Sequence, residues 1–196
     1  NLGLLTGVSD NNGYLYAIAG TSAGIVYRSS NGGVSWTQVN TSYNGGNGAA
    51  KGMTRNSSIL YAVDGQGKVY ASSDQGVNWI QKNASYGRTS DTQDMFSDNS
   101  GNLYIITNSN KEIWKSTNNG ISWIKINDTF SNLGLRTGMS DNNGYLYVIA
   151  GTSAGIVYRS SNGGVSWTQV NASYNDGNGA ARAMTSVLKQ TNITFQ

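Results

Sequence analysis

Short apolar segments alternate with polar, glycine-containing turns along the chain. In the first unit, a segment from Leu4 to Ser9 is followed by a turn from Asp10 to Gly13 and by a second segment from Tyr14 to Ala19. Two further segments run from Gly24 to Ser29 and from Val34 to Val39. Segments of this length and pattern predict β-strands, and no stretch shows the period of an amphipathic helix. The pattern therefore predicts four antiparallel strands in each unit.

The unit recurs with a nearly fixed period. An aromatic residue that precedes a Gly-containing turn lies at positions 27, 70, 114 and 158, so the spacings are 43, 44 and 44 residues. Four short strands in a unit of about 44 residues are typical of a β-propeller blade. The sequence thus predicts an all-β, propeller-like fold with four full repeats and a partial fifth.

We expect a single domain over residues 1–196, or a piece of a larger one. A second repeat, of 131 residues or three blades, relates residues 1–54 to residues 132–185. Residues 179–196 begin like a fifth blade and then depart from the template, which predicts a partial blade or a closing strand. An unpaired blade edge would expose N–H and C=O groups that partner strands can bind. The full blades are expected at approximately 1–46, 47–90, 91–131 and 132–178.

Each unit carries the same turn motif between its third and fourth segments. A small hydroxyl residue is followed by Asp or Asn, then by Gly, and finally by Trp. Asp and Asn side chains accept hydrogen bonds from nearby backbone N–H groups, and Gly supplies the positive φ of a tight turn. We expect the Trp to pack between neighbouring units. The four copies are Ser29, Asn31, Gly33 and Trp36; Ser72, Asp74, Gly76 and Trp79; Ser116, Asn118, Gly120 and Trp123; and Ser160, Asn162, Gly164 and Trp167.

This motif resembles the Asp-box, or BNR repeat, of β-propellers related to sialidases, sortilin and xyloglucanases. The family pattern is Ser-x-Asp-x-Gly-x-Thr-Trp, and the copy from Ser72 to Trp79 matches it with Asn78 in place of Thr. The other three copies carry Asn in place of Asp and Ser in place of Thr. In that family the box is a folding element away from the binding face. The resemblance therefore implies the fold, and a structural role for the box.

The segment after each fourth strand is the first candidate for a function. Each such segment ends in an aromatic residue, and rings of aromatics stack on sugars in propeller lectins. The alternative, which we favour, is that each ring pins its own loop against the blade. The four aromatics are Tyr43, Tyr86, Phe130 and Tyr174.

Sequons of the form Asn-x-Ser/Thr are a second feature of these segments. If the protein is secreted by a eukaryote or an archaeon, these sites predict N-glycosylation at the surface. Because Asn, Ser and Thr are abundant, chance occurrence is the alternative. The sequons of these segments begin at Asn40, Asn83, Asn127 and Asn171, and two further sequons begin at Asn56 and Asn192.

Glycoside hydrolysis is a less favoured alternative. Sialidase-like sites, as the resemblance implies, need an arginine cluster, a Tyr nucleophile with a Glu partner and an Asp acid, but Glu112 is the only Glu in the chain. Xyloglucanase-like sites need two facing Asp residues, and Asp91 with Asp94 is a pair that nothing singles out. Catalytic sites generally break repeat symmetry, whereas these repeats keep theirs. We therefore expect no enzyme activity.

Composition excludes several other functions. The chain has no Cys and no His, which removes disulfides, thiolate chemistry and the commonest metal ligand. The Asp-Asn-x-Gly turns lack the further carboxylates of a calcium loop, so we expect no metal and no cofactor. The 13 basic residues are scattered and the net charge is +3, which argues against nucleic-acid binding. No stretch is apolar and long enough to predict a membrane span.

The remaining residues favour a protein outside the cell. Asn, Ser, Thr, Gly and Tyr dominate and only 12% of residues are charged, as in exposed, turn-rich β proteins, although an Asn-biased genome would give a similar composition. Asn1 is an unusual first residue, which we interpret as processing or truncation. We expect an extracellular or cell-surface, non-catalytic structural or adhesive protein that associates with itself or with other extracellular chains. The alternative is a lectin-like propeller that binds glycans.

Overall fold

The computed structural model describes residues 3–10, 12–20, 24–88, 91–127, 130, 133–141, 143–151, 155–173 and 184. Within these ranges the chain forms sixteen β-strands and no helix. The strands make four antiparallel sheets of four strands, each in chain order. The predicted all-β architecture of four-stranded blades is confirmed.

Each sheet corresponds to one unit of the sequence repeat. The first blade contains β1 (Leu4–Ser9), β2 (Leu15–Ala19), β3 (Ile25–Ser29) and β4 (Thr37–Asn40). The second contains β5 (Ala50–Asn56), β6 (Ile59–Asp64), β7 (Val69–Ser72) and β8 (Ile80–Asn83). The third contains β9 (Thr92–Ser97), β10 (Leu103–Thr107), β11 (Ile113–Ser116) and β12 (Ile124–Asn127). The fourth contains β13 (Leu135–Ser140), β14 (Leu146–Ala150), β15 (Ile156–Ser160) and β16 (Thr168–Asn171).

The fourth strand of each blade begins later than the sequence predicts. The apolar pattern placed its start at Val34 in the first blade, but β4 begins at Thr37. The N–H of Val34 donates to the carbonyl oxygen of Asn31 at 3.4 Å, and the N–H of Ser35 donates to Asn31 Oδ1 at 2.9 Å. These bonds keep the residues up to Trp36 in the turn, so the β-branched residue of the motif belongs to the turn and not to the strand.

The turns between the first and second strands are held by aspartates. Asp10 Oδ1 accepts hydrogen bonds from the N–H of Asn12 at 2.9 Å and of Tyr14 at 2.8 Å. Asp98 and Asp141 accept the equivalent pairs of bonds in the third and fourth blades. A carboxylate that accepts two backbone N–H groups fixes the turn, so these aspartates have a local structural role.

The hydrophobic core lies between consecutive blades. The innermost strands pack against one another in the order β1, β5, β9, β13. Alternate residues of a strand point to opposite neighbours: Leu60 and Ala62 of β6 join the cluster with the first blade, whereas Tyr61 and Val63 join the cluster with the third. A third cluster joins the third and fourth blades. No such cluster joins the first and fourth blades among the described residues.

Every blade thus has two faces. We call the face that meets the preceding blade its incoming face and the face that meets the following blade its outgoing face. Within the described part of the chain, the incoming face of the first blade and the outgoing face of the fourth blade have no neighbouring blade. These two are the outer faces of the structure.

The repeat of 131 residues provides a direct comparison of a covered and an uncovered incoming face. Leu4 and Leu135 begin the equivalent strands β1 and β13, where they pair with Ala19 and Ala150. Leu135 is 0% exposed against the third blade, whereas Leu4 is 73% exposed. The same residue in the same strand position differs because only Leu135 has a blade packed against it.

We predict that truncating these two leucines has unequal effects. Leu135→Ala should lower the free energy of unfolding by about 2–5 kcal/mol, because it removes buried methyl groups and leaves a cavity. Leu4→Ala should change it by less than about 0.5 kcal/mol, because the side chain is already in solvent. Urea unfolding followed by circular dichroism measures both variants. Equal losses would contradict the assignment of Leu4 to an uncovered face.

Candidate functional site

The turn motif is a closed unit of short hydrogen bonds. In the second blade, Ser72 Oγ donates to Asp74 Oδ1 at 2.8 Å and accepts from the N–H of Gly76 at 2.9 Å. Asp74 Oδ1 also accepts from the N–H of Asn78 at 2.8 Å, and Trp79 Nε1 donates to the carbonyl oxygen of Gly76 at 3.0 Å. The motif therefore fixes both the turn and the orientation of its Trp.

The departures from the Asp-box pattern compensate one another. Asp74 Oδ2 accepts a bond from Asn78 Nδ2 at 2.7 Å. Where Asn31 replaces the aspartate, Asn31 Nδ2 donates instead to Ser35 Oγ at 2.8 Å, and the third and fourth blades repeat this bond. Asp pairs with an amide donor and Asn pairs with a hydroxyl acceptor, so both versions close the same turn. The motif is intact in all four blades despite three substitutions of its aspartate.

The glycine of the motif also lies at the blade interface. Gly76 has φ +86°, and a Cβ there would lie 3.2 Å from Val26 Cγ1 and 3.5 Å from Val39 Cγ2 of the first blade. Gly33 has φ +88°, but a Cβ there would meet only Leu15 and Trp36 of its own blade. The first blade thus presents the same glycine without the aliphatic side chains that cover it elsewhere.

The loop aromatics are buried against the next blade. The ring of Tyr43 lies 5.3 Å from the ring of Tyr70 and 5.5 Å from that of Trp79, both in edge contacts. Tyr86 makes the same pair of contacts with Trp114 and Trp123. The equivalent ring in the third blade is Phe130, which contacts Tyr158 and Trp167.

This burial corrects the idea of a sugar-binding ring of aromatics. Tyr43, Tyr86 and Phe130 are all buried, and a buried ring offers no face to a sugar. The rings pack against aromatic residues of the following blade, a contact that the packing alternative did not include. Tyr174, the fourth predicted member, lies outside the described residues.

The motif tryptophans differ in exposure according to their neighbours. Trp79, Trp123 and Trp167 are partly buried, and each lies between its own blade and the aromatic of the preceding blade. Trp36 has the same internal hydrogen bond but is 42% exposed. It lies on the incoming face of the first blade, where no described residue of a preceding blade covers it.

The sequon asparagines connect the blades. Asn40 Nδ2 donates to the carbonyl oxygen of Val77 at 2.8 Å, and Asn83 Nδ2 donates to that of Ile121 at 2.7 Å. Asn127 makes the corresponding bond to Val165 at 3.4 Å. Asn56 Nδ2 donates to Gly101 of the third blade at 3.0 Å. These amide nitrogens, to which a glycan would be attached, therefore point at the next blade.

Asn171 lacks such a neighbour among the described residues. Its Oδ1 accepts from the N–H of Ser173 at 2.7 Å, as Asn40 and Asn83 accept from the residue two positions on. Its Nδ2 has no acceptor among the described residues, and its side chain is exposed. Asn192 lies outside the described residues. Sequence reasoning assigned these asparagines to sequons alone, although Asn40, Asn83, Asn127 and Asn171 each follow the motif Trp by four residues.

The carboxylates considered for catalysis hold the fold together. Asp91 accepts from the N–H of Ser109 at 2.9 Å and of Asn110 at 2.8 Å. Glu112 Oε2 accepts from Arg88 Nε at 2.8 Å and from Trp114 Nε1 at 3.0 Å. The hydrogen bond from Arg88 lowers the pKa of Glu112 and outweighs the opposing effect of burial.

Asp94 joins the third blade to the fourth. Its Oδ2 accepts from Thr137 Oγ1 at 2.9 Å and from the N–H of Gly138 at 3.3 Å, while Oδ1 accepts from the N–H of Met95 at 2.8 Å. Asp91 and Asp94 thus bind different segments of the chain. Burial raises the pKa of Asp94 to about 6, although these three hydrogen bonds oppose the shift.

Among the described carboxylates, Asp64 has an oxygen without a hydrogen-bond partner. It is fully buried, and its Oδ1 accepts from the N–H groups of Gln66 and Lys68, both at 2.9 Å. Its Oδ2 has no hydrogen-bond partner, and burial raises the pKa of this group. Across the described ranges, no group of three or more acidic residues is placed to hold a metal ion. No helix in the same ranges has the length and apolarity to cross a membrane.

We predict that the bond between blades made by the sequon asparagines stabilises the fold. Asn83→Asp keeps the acceptor for the N–H of Ser85 but replaces the donor that faces the Ile121 carbonyl. It should lower the free energy of unfolding by about 1–3 kcal/mol. The matched variant Asn171→Asp should leave the stability of the monomer unchanged. Urea unfolding measures both, and an equal effect of the two variants would contradict this role.

We also predict a pH dependence that is due to Asp94. An aspartate in the unfolded chain has a pKa of about 3.9, so the folded state binds this proton more tightly. The contribution of Asp94 to the free energy of unfolding is then fully present below about pH 4 and falls as the pH rises to about 6. The difference in free energy of unfolding between wild type and Asp94→Asn should fall over that interval, since other carboxylates cancel. Parallel pH profiles for the two proteins would rule this out.

Comparison with known proteins identifies the same architecture. The sequence model of the Sortilin-Vps10 family, described as sortilin, neurotensin receptor 3, matches residues 24–153, which is more than half of the chain. A search of curated proteins found no match. Solved β-propeller structures share the fold at low sequence identity.

Three of these structures show the range of proteins with this fold. A nidogen/laminin complex superimposes with a TM-score of 0.70 at 14% identity, covering 95% of this chain and 69% of that chain. YCF48 bound to D1 peptide has a TM-score of 0.59 at 20% identity, covering 82% and 50%. A GH74 xyloglucanase from Xanthomonas campestris has a TM-score of 0.57 at 16% identity, covering 81% and 29%.

The matches cover only part of the length of the related structures. The chain spans 50% of the YCF48 structure with D1 peptide and 57% of YCF48 from Cyanidioschyzon merolae. The four repeated blades and their motif turns are features of a β-propeller. The family match over residues 24–153 indicates the same fold. The chain belongs to the Sortilin-Vps10 family of β-propellers.

Proposed function

We propose that the protein is a non-catalytic repeat protein outside the cell, with a structural or adhesive role, that associates with copies of itself or with other extracellular chains. The observation that carries the proposal is the use of the carboxylates. Every carboxylate among the described residues holds a turn, a blade interface or the Arg88 side chain. A hydrolase would need at least one acid or base that is available to a substrate.

Structural neighbours support a role in protein binding. Nidogen is in a complex with laminin, and YCF48 is bound to a peptide. The xyloglucanase has the same fold and is an enzyme, so the fold by itself does not decide the function. Whether a protein of this fold is an enzyme depends on its side chains. The described carboxylates of this chain are engaged within the protein.

The composition supports a place outside the cell. The chain has no Cys and few charges, and it is rich in the polar and glycine residues of exposed turns. Glycan binding through the loop aromatics has less support, because Tyr43, Tyr86 and Phe130 are buried.

Native mass spectrometry of material from its source tests the proposal. We expect masses well above the 20.8 kDa of this chain, in assemblies of several chains. An unmodified monomer at that mass would contradict the proposal and favour a test of glycan binding. A panel of sialylated and β-glucan substrates provides the enzymatic control. Turnover that is lost in Asp91→Asn or Asp94→Asn would show an enzyme instead.

A further inference from the structure

The chain contains eight asparagines that are directly followed by glycine, and seven of these pairs lie in the described ranges. Such a pair can react with itself, because glycine has no side chain to shield its backbone nitrogen from the preceding side-chain amide. In a folded protein the reaction requires that the asparagine Cγ can approach that nitrogen. The seven described asparagines are Asn12, Asn31, Asn44, Asn47, Asn119, Asn143 and Asn162.

Hydrogen bonds hold the side chains of the asparagines in the turn motif. Asn31 Oδ1 accepts from the N–H of Ser35 and from Ser29 Oγ, both at 2.9 Å, and Asn31 Nδ2 donates to Ser35 Oγ at 2.8 Å. Asn162 makes the same three bonds in the fourth blade. Such a side chain would have to break its own hydrogen bonds to reach the nitrogen of the next residue.

Three further pairs are restrained in other ways. Asn44 is buried, and its Nδ2 donates to a carbonyl oxygen of its own loop at 2.8 Å, as does that of Asn47. After Asn119, the N–H of Gly120 donates to Ser116 Oγ at 3.0 Å, so the attacking nitrogen is itself engaged. These contacts oppose a reaction between the side chain and the following nitrogen.

Asn12 and Asn143 lack such restraints. They occupy the same position in the first and fourth blades, in the turn between the first and second strands. Their backbone N–H groups donate to the turn aspartates at 2.9 Å, but their side chains are exposed and make no hydrogen bond with the described residues. Apart from its chain neighbours, a Cβ on either following glycine, Gly13 or Gly144, would have nothing within 4 Å. Both the side chain and water therefore have access to the site.

The third blade shows that this turn does not need an amide at the same position. Ser100 is the equivalent residue there, and its N–H donates to Asp98 Oδ1 at 2.9 Å. The N–H of Asn102 donates to the same oxygen at 2.9 Å. The carboxylate thus closes the turn through backbone groups alone. The side chains of Asn12 and Asn143 have no part in closing their turns.

We propose that Asn12 and Asn143 are sites of spontaneous deamidation in the folded protein. The backbone nitrogen of the following glycine forms a bond to the asparagine Cγ, the C–N bond of the side-chain amide breaks, and ammonia leaves with the proton of the glycine N–H. Water then opens the cyclic imide at one of its two carbonyl carbons. Attack at Cγ gives aspartate, and attack at the backbone carbonyl carbon gives isoaspartate. The reaction replaces an amide NH2 by OH and requires no oxidant, no reductant and no partner.

Both products change the turn that joins the first two strands of a blade. Each adds a carboxylate close to the turn aspartate, and each modified site lowers the net charge of +3 by one. Isoaspartate also lengthens the main chain by one carbon, which displaces the N–H of Tyr14 from Asp10 Oδ1, now 2.8 Å away. Modification at Asn12 should therefore loosen the hairpin of β1 and β2, while the hairpin of β9 and β10 with Ser100 stays as it is.

Tandem mass spectrometry of peptides measures the reaction at each pair. The folded full chain is incubated at mildly alkaline pH, and deamidation is detected as a mass gain of about 1 Da. Fragments that contain Ala17 or Val148 distinguish the two turns. We expect Asn12 and Asn143 to react first. The motif asparagines should react about tenfold more slowly or less, because their hydrogen bonds must break before Cγ reaches the attacking nitrogen.

The same chain unfolded in urea provides the reference. There all the Asn-Gly pairs should react at similar rates, because the local sequence is the same and the hydrogen bonds are gone. In the folded chain, Ser35→Ala removes the acceptor of Asn31 Nδ2 and should raise the rate at Asn31 alone. Asn12→Ser copies the third blade and should abolish the reaction at that position without changing the urea unfolding of fresh protein.

The order of reaction in the folded chain decides the inference. Selective reaction at Asn12 and Asn143 that is lost in urea would support it. Equal rates at Asn12 and Asn31 in the folded chain would overturn it, since the structure would then not select the sites. Reaction at Asn31 or Asn44 before Asn12 would overturn it as well. None of these outcomes bears on the native mass or on the substrate panel, by which the proposed function is tested.

Discussion

A single four-stranded blade of this protein has two apolar faces and cannot bury either one by itself. Alternate residues of β6 show the constraint most clearly, because Leu60 faces the first blade and Tyr61 faces the third. Nearly every other feature of the structure serves this packing. The motif turn orients a Trp at the interface, its Gly leaves room for a neighbouring aliphatic side chain, and the sequon Asn adds a hydrogen bond between blades.

The same constraint gives the polar residues a structural role. In a chain without Cys and with few charges, short hydrogen bonds from Asp, Asn and Ser fix the turns, and Asp94 links β9 to β13. Propellers of this fold include enzymes, and their activity depends on side chains that the fold leaves free. Here the described carboxylates are engaged inside the protein.

Periodicity in the sequence is sufficient to predict the blades and most strands, because a strand of alternating residues and a repeated turn are local features. The prediction for β1, from Leu4 to Ser9, agrees with the structure at both ends. The predicted start of β4 at Val34 was wrong, because the hydrogen bonds to Asn31 extend the turn through Trp36. The environment of Tyr43 and the partner of Asn40 could not be predicted, because both depend on which blade faces which, and a local pattern does not contain that contact.

A blade face is stable only when another blade covers it. Amide hydrogen exchange of the full chain tests this most directly, because β1 and β13 have nearly the same sequence and can be distinguished by Val8 and Met139. At low protein concentration, β13 should exchange much more slowly than β1, since the third blade covers only β13. Equal exchange of the two strands at all concentrations would contradict the account.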